Sequence, residues 1–311
     1  MISIVDPGVP DWIEIRTKEM LPRLFAFYTD RFAVSLPERP TILFHFTSSD
    51  ISGYSSGGGT LPALVQLGLE GKAWENESAE GLLHQFHFLA HEAAHLWNGQ
   101  LIHYDGTEDS WMHEGSADAL AQRTLQALGL ITEERFRTYQ TVALNECLQG
   151  LGRSSLRSAH ERGAFRDYYS CGNMVALLTE KALSIDLFEF WRRLIERARS
   201  DDGMYEADDY FAVLESAGAS AEEVAMLHAH RRSPATFGAL FLQSGSYFRM
   251  RFERTPEGLR IVEASLVEGE RQTGARDLFV NVASAAGLNS AIVPSSAMTT
   301  MQSNAEATAA R

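Results

Sequence analysis

The chain has 311 residues, 45% of them hydrophobic and 22% charged, with a net charge of -14 and a pI near 5.2. That length and balance belong to an ordinary globular protein large enough for a sizeable core. The acidity speaks against nucleic acid or an anionic membrane as main partner, and no run of about 18 apolar residues offers a membrane span. Ile2–Val5 reads as a short strand ended by Asp6-Pro7-Gly8. Trp12 to Phe32 has helical spacing, with a kink or break expected at Pro22. Thr41 to Thr47 reads as a strand. Gly53-Tyr54-Ser55-Ser56-Gly57-Gly58-Gly59 follows. Three successive glycines fit either a flexible surface loop or backbone that must come close to something. Leu61 to Leu69 reads as a strand, and Pro62 marks it as an edge strand open to an extended peptide.

Ser78 to about Leu101 is helical, ending near Asn98-Gly99. A second helix runs from Asp109 or Ser110 to Gly129, and a third from Thr132 to about Gln149. Leu151 to Arg166 is ambiguous. Helices are expected over Asp167 to Leu183, Asp186 to Arg199, Asp208 to Ser216 and Ala221 to Arg231. Phe248 to Glu253 and Leu259 to Glu263 alternate around the turn Thr255-Pro256-Glu257-Gly258, a β-hairpin pattern. From about residue 286 the chain is rich in Ala, Ser and Thr, as in a disordered tail. The two cysteines, Cys147 and Cys171, form no C-x-x-C, so neither a thiolate metal site nor a disulfide framework is expected. No basic n-region precedes an apolar stretch at the N-terminus. The cytoplasm is therefore the default compartment, and a processed form or fragment would be secreted or periplasmic.

The helix after Ser78 contains His91-Glu92-Ala93-Ala94-His95. Residues four apart share a helix face, so both imidazoles can reach one metal ion. Glu92 projects roughly 100° away. It is a poor third ligand there but is placed to reach a water on an open metal position. Glu114 lies 18 residues beyond His95, on the second helix. A helix end, a loop and one returning turn fit that gap. Two imidazoles, one carboxylate and a water make a catalytic zinc site. Asp118, four residues after Glu114, can take the far N–H of a ligand histidine, with His91 the first choice; its other reading is a solvated carboxylate. His113 can line the cleft and bond substrate. His87 is read as packing, and His84 and His103 as solvent-facing or supporting groups.

His91 to Gly99 resembles the H-E-x-x-H-x-W-x-G/N segment of gluzincin zinc peptidases of the aminopeptidase N and glycyl aminopeptidase families. Trp111-Met112-His113-Glu114-Gly115 is similar to their W-x-x-E-G, and the Glu114–Asp118 pair to the E-x-x-x-D of thermolysin-like enzymes. The resemblance covers residues 1 to about 230. It implies an α+β fold, with a mostly helical zincin-like catalytic domain, a small N-terminal sheet whose edge strand flanks the cleft, and here a small C-terminal β-hairpin region. The expected layout is a sheet subdomain over 1–75, a helical zinc-binding subdomain over 76–233, a β-rich region over 234–285 and a tail over 286–311. Relatives carry a large β domain ahead of the catalytic one; this chain starts almost directly in the catalytic part, as a minimal form or a piece of a longer protein.

The resemblance also implies a tyrosine that stabilises the oxyanion, in a Y-x-K-G element. Tyr169 stands three before Gly172, the matching place, with Tyr168 as the alternative; Cys171 replaces the usual Lys. Relatives bind the substrate α-amine through a glutamate in G-x-M-E-N. The matching stretch here, Ser55 to Gly59, keeps glycines and lacks the glutamate, for which Glu70 and Glu75 are the nearest upstream substitutes. The resemblance thus implies zinc-dependent hydrolysis of a peptide or protein substrate. His91, His95 and Glu114 would hold one zinc, Glu92 and Tyr169 would be catalytic, and Gly57, Gly58, Gly59 and His113 would contact substrate. A silent zinc-site binding protein and a hydrolase of a non-peptide amide or epoxide are the alternatives.

Overall fold

The computed structural model describes residues 2–104, 109–151, 156–183, 185–219, 248–255 and 258–266. The element order begins β1 (Ile2–Val5), α1 (Asp11–Phe32), β2 (Thr41–Thr47), β3 (Ser55–Leu61) and β4 (Leu64–Glu70). The four strands form one mixed sheet in the order β1-β2-β4-β3, with β1–β2 and β2–β4 parallel and β3–β4 antiparallel. There follow α2 (Ala79–His95), a π-helical turn over Leu96–Leu101, β5 (His103–Tyr104), α3 (Ser110–Ala127) and α4 (Glu133–Leu151). After a 3₁₀ turn at Leu156–Ala159 come α5 (Arg166–Leu183), α6 (Leu187–Ser200), β6 (Met204–Tyr205), α7 (Ala207–Ser216) and the hairpin β7 (Phe248–Thr255) with β8 (Gly258–Leu266). The fold is α+β, mostly helical with a small mixed sheet, as the sequence pattern leads one to expect. The helix expected over Ala221 to Arg231 and the tail from 286 lie outside the described residues.

Three local expectations need correction. The strand expected from Leu61 to Leu69 starts at Leu64 instead, because Pro62 and Ala63 form the hairpin turn, with Ala63 at φ 54°. Its place also differs: β4 is an interior strand, and the sheet edge is the glycine strand β3. Gly57, Gly58 and Gly59 pair with Gly68, Leu67 and Gln66, so they form a strand and not a loop. No break occurs at Pro22, and α1 runs through it. Pro22 and Lys18, four residues earlier, both lie on the exposed side, where water can satisfy the carbonyl that proline leaves without a donor.

The third correction concerns the cysteines. Cys147 on α4 and Cys171 on α5 are disulfide-bonded, with their Cα atoms 4.8 Å apart. Nothing in the local spacing announces the bond, since packing of two helices brings the sulfurs together. Closing a loop with a separation of 24 residues stabilises by about 3 kcal/mol in the chain-entropy account.

The chain forms two compact units, and the division falls within the continuous helix α3. The first comprises Met1–Asp105, Ala117–Thr132 and Leu187–Asp209. Its core packs Tyr28 and Phe32 of α1 against Trp97 and against Phe188 of α6. Two hydrogen bonds anchor the region around His91 and His95 to this core. Tyr28 donates to the Ala90 carbonyl at 2.8 Å, and Trp97 Nε1 donates to the Val34 carbonyl at 2.9 Å. Burial pushes the Tyr28 phenol well above its ordinary pKa, so it stays a neutral donor.

The second unit comprises Gly106–Ser116, Glu133–Asp186 and Tyr210–Arg311. In it Trp111 donates to Asp109 Oδ1 at 2.9 Å and packs edge-on to Tyr210, which shares a hydrogen bond with Thr179. Gly129, at φ 69°, ends α3 with a 6→1 bond from Leu130 N to the Leu125 carbonyl. No helix among the described residues is long and apolar enough to cross a membrane.

Candidate metal centre

Ser78 caps α2 by accepting from Gly81 N at 2.9 Å. The last turn of α2 then presents His91, Glu92 and His95, all buried among Ala90, Ala93 and Ala94. The small alanines let this turn sit deep without crowding the imidazoles. His91 and His95 turn their Nε2 atoms toward each other, 3.0 Å apart, with the rings nearly perpendicular. The ligand atoms of His91, His95 and Glu114 all lie within 4.8 Å of one another. Glu114 is carried there by α3, the same helix that carries Asp118 one turn later.

The two far nitrogens settle the chemistry of the near ones. His91 Nδ1 donates to Asp118 Oδ1 at 2.8 Å, and His95 Nδ1 donates to Asn98 Oδ1 at 3.1 Å. A carboxylate and an amide oxygen can only accept, so each ring keeps its proton on Nδ1. In the neutral imidazoles both Nε2 atoms are then lone-pair donors. Two such nitrogens turned toward each other beside a carboxylate are an arrangement that a cation among them stabilises. The residues therefore fit a metal ion: two imidazole nitrogens and one carboxylate with supported orientations. Asp118 is half-buried, and its neighbours Ala117, Leu120 and Ala121 are fully buried. Asp118→Asn is expected to weaken divalent-metal binding by about 10- to 100-fold. Competition with a chromophoric chelator measures this, and unchanged affinity would exclude a role for Asp118 in orienting His91.

Glu92 stands beside this group without belonging to it. Its Oε2 is 3.2 Å from Thr60 Oγ1, on the edge strand β3. Gly58, two residues earlier, faces the same way: a Cβ there would lie 2.6 Å from the Gln66 carbonyl oxygen, 2.9 Å from Phe88 Cζ and 3.0 Å from Glu92 Oε1. Gly57 and Gly59 face the opposite side, where an added Cβ would meet nothing within 4 Å. Glu70 pairs with Ser55 and so shares that opposite face, away from α2. Glu75 is exposed and accepts from Ser48 at 3.5 Å.

Among the described residues, the remaining histidines fall outside the group. His113 is buried, with Nε2 4.0 Å from Glu114 Oε1. His87 has Nε2 3.9 Å from Asp118 Oδ1, and burial holds its imidazole below the usual pKa. His84 stacks on Tyr54, and His103 Nδ1 donates to the Gly99 carbonyl. On α5, Tyr168 is buried and Tyr169 is 39% exposed. Tyr169 lies one turn before Gly172, whose Cα faces the α3 backbone at Trp111 and Gly115. Asn98, Thr60 and Gln100 are site residues that motif reading misses. Only Asn98, three residues after His95, carries a local signal. Comparison of the sequence with protein families and with curated proteins finds no match.

Proposed function

We propose that this chain is a zinc-dependent hydrolase of peptide bonds. The observation that carries the reading is the pair of Nε2 atoms turned toward each other, 3.0 Å apart, on imidazoles whose Nδ1 atoms are held by Asp118 and Asn98. With Glu114 they make a three-ligand site, and the adjacent Glu92 is a carboxylate free of the ligand set. In this reading His91, His95 and Glu114 hold the zinc, within a zincin-like, gluzincin-type catalytic domain. When bound, the ion supplies Lewis acidity and acidifies water. Glu92 takes the proton of the attacking water at its carboxylate and passes it to the leaving amine. Tyr169, exposed on α5, is the donor to the developing oxyanion. The edge strand through Gly57, Gly58 and Gly59 offers main-chain groups to an extended peptide, and glycines leave that edge unobstructed. His113, next to Glu114, lines the substrate side. The Cys147–Cys171 bond favours an oxidising compartment over the cytoplasm for this activity.

Zinc quantification together with a mixed peptide library tests the proposal. One zinc per chain and cleavage abolished by a chelator are expected. Trimming from the N-terminus would make the protein an aminopeptidase, and internal cuts an endopeptidase. Zinc bound with no cleavage would favour a silent binding protein or a hydrolase of a different amide or epoxide. Absence of bound zinc after metal loading would overturn the site itself.

A further inference from the structure

We infer that Thr60 is a positioning residue for Glu92, holding its carboxylate so that one chosen oxygen exchanges the proton. The inference rests on the reading of Glu92 as proton carrier. Along β3 successive side chains alternate, so Gly58 and Thr60 share the face that looks at α2. Each of the two takes one oxygen of Glu92. Oε1 lies on the Gly58 side, 3.0 Å from where a Cβ on that residue would stand, in space that the Gln66 carbonyl oxygen and Phe88 also border. Oε2 sits 3.2 Å from the Thr60 hydroxyl, which is also 3.1 Å from the Glu92 main-chain carbonyl. The single proton of the hydroxyl therefore has two acceptors on the same residue, one on the side chain and one on the helix backbone.

Thr60 is well built for this task. Its branched Cβ restricts χ1, so the hydroxyl holds one direction. Its main chain is fastened in turn, because Gln100 Nε2 donates to the Thr60 carbonyl at 2.9 Å. Gln100 belongs to the π-helical turn that follows His95 directly. That turn thus ties the helix bearing His91, Glu92 and His95 to the edge strand on which substrate would lie. Irregular π turns are frequent at functional sites, and here the turn supplies both Asn98, which orients His95, and Gln100, which orients Thr60. With Oε2 fastened, Oε1 on the Gly58 side is the oxygen left to take and release the proton. Glycine at 58 and threonine at 60 then form one device: clearance for the working oxygen and a hydrogen bond for the fixed one.

Thr60→Val removes the hydroxyl at constant shape, and Thr60→Ser keeps it. In zinc-loaded protein Thr60→Val is expected to lower kcat on the order of tenfold, through misplacement of the carboxylate. KM and zinc content stay unchanged, and Thr60→Ser recovers most of the rate. In metal-free protein the denaturation midpoints of Thr60→Val, Glu92→Ala and the double variant should be non-additive, since the Glu92 carboxylate and the Thr60 hydroxyl are in contact. A Thr60→Val enzyme with wild-type kcat would overturn the inference, as would loss of activity that Thr60→Ser does not restore. An inactive wild-type protein would instead defeat the peptidase reading. In that case the metal-free cycle still decides the contact: additive midpoints would refute it, and coupled ones would uphold it.

Discussion

Glu92→Gln is expected to lower peptide hydrolysis by about 10²- to 10⁴-fold, the range of a lost general acid–base group, with one zinc still bound per chain. The substitution exchanges one oxygen for an NH₂ of the same size. Glu92 is outside the group whose ligand atoms cluster within 4.8 Å, so metal binding is expected to survive the change. Its surroundings also tolerate the amide. An amide oxygen facing Thr60 Oγ1 keeps that hydrogen bond, and the NH₂ then takes the space beside Gly58. What disappears is the capacity of the oxygen beside Gly58 to accept and return a proton. Steady-state kinetics on a cleaved peptide, paired with zinc analysis of the same sample, separates the two effects. Normal turnover in the variant would sink the mechanism, and loss of zinc along with activity would mean that Glu92 is a ligand after all.

The parts of this site that are legible in the sequence are those fixed by helical period. His91 and His95 meet because they are four apart on one helix, and Asp118 follows Glu114 by the same step on another. The partner of His91 comes from that periodicity plus one assumption, that the two helices lie side by side. The parts that are not legible depend on contacts between distant segments. Thr60 and Glu92 are 32 residues apart, and neither has a pattern that points at the other. Proline at 62 misled the strand assignment because it serves the turn, while the true edge is marked by glycines that disfavour a strand on propensity alone. The strand is paired there all the same, and at Gly58 a side chain would meet the Gln66 carbonyl oxygen, Phe88 and Glu92. Cys147 and Cys171 follow the same logic, since nothing short of the packing of α4 and α5 brings them to bonding distance.

Gly172→Ala is expected to lower both stability and metal affinity, although alanine is the better helix former. By propensity alone, glycine to alanine inside a helix stabilises by about 1 kcal/mol. Packing opposes this strongly. A Cβ on Gly172 would overlap the Trp111 carbonyl oxygen and come 2.9 Å from Gly115 Cα; one on Gly115 would overlap the Gly172 backbone. These neighbours are main-chain atoms, which cannot swing aside as a side chain does, so α3 and α5 must move apart. Overpacking of this kind costs about 3 kcal/mol, at the upper part of its usual range, and the net loss is about 2 kcal/mol. Gly115 directly follows Glu114, so the same displacement moves a member of the candidate metal group. Tyr169, one turn before Gly172, moves with α5. Gly53→Ala serves as the control: a Cβ there meets nothing within 4 Å, and the change should stay within about 0.5 kcal/mol. Chemical denaturation and chelator competition on the three proteins give the test. If Gly172→Ala unfolds at the wild-type midpoint, α3 and α5 do not pack through these glycines. If it unfolds early yet binds zinc normally, the position of Glu114 does not depend on that contact.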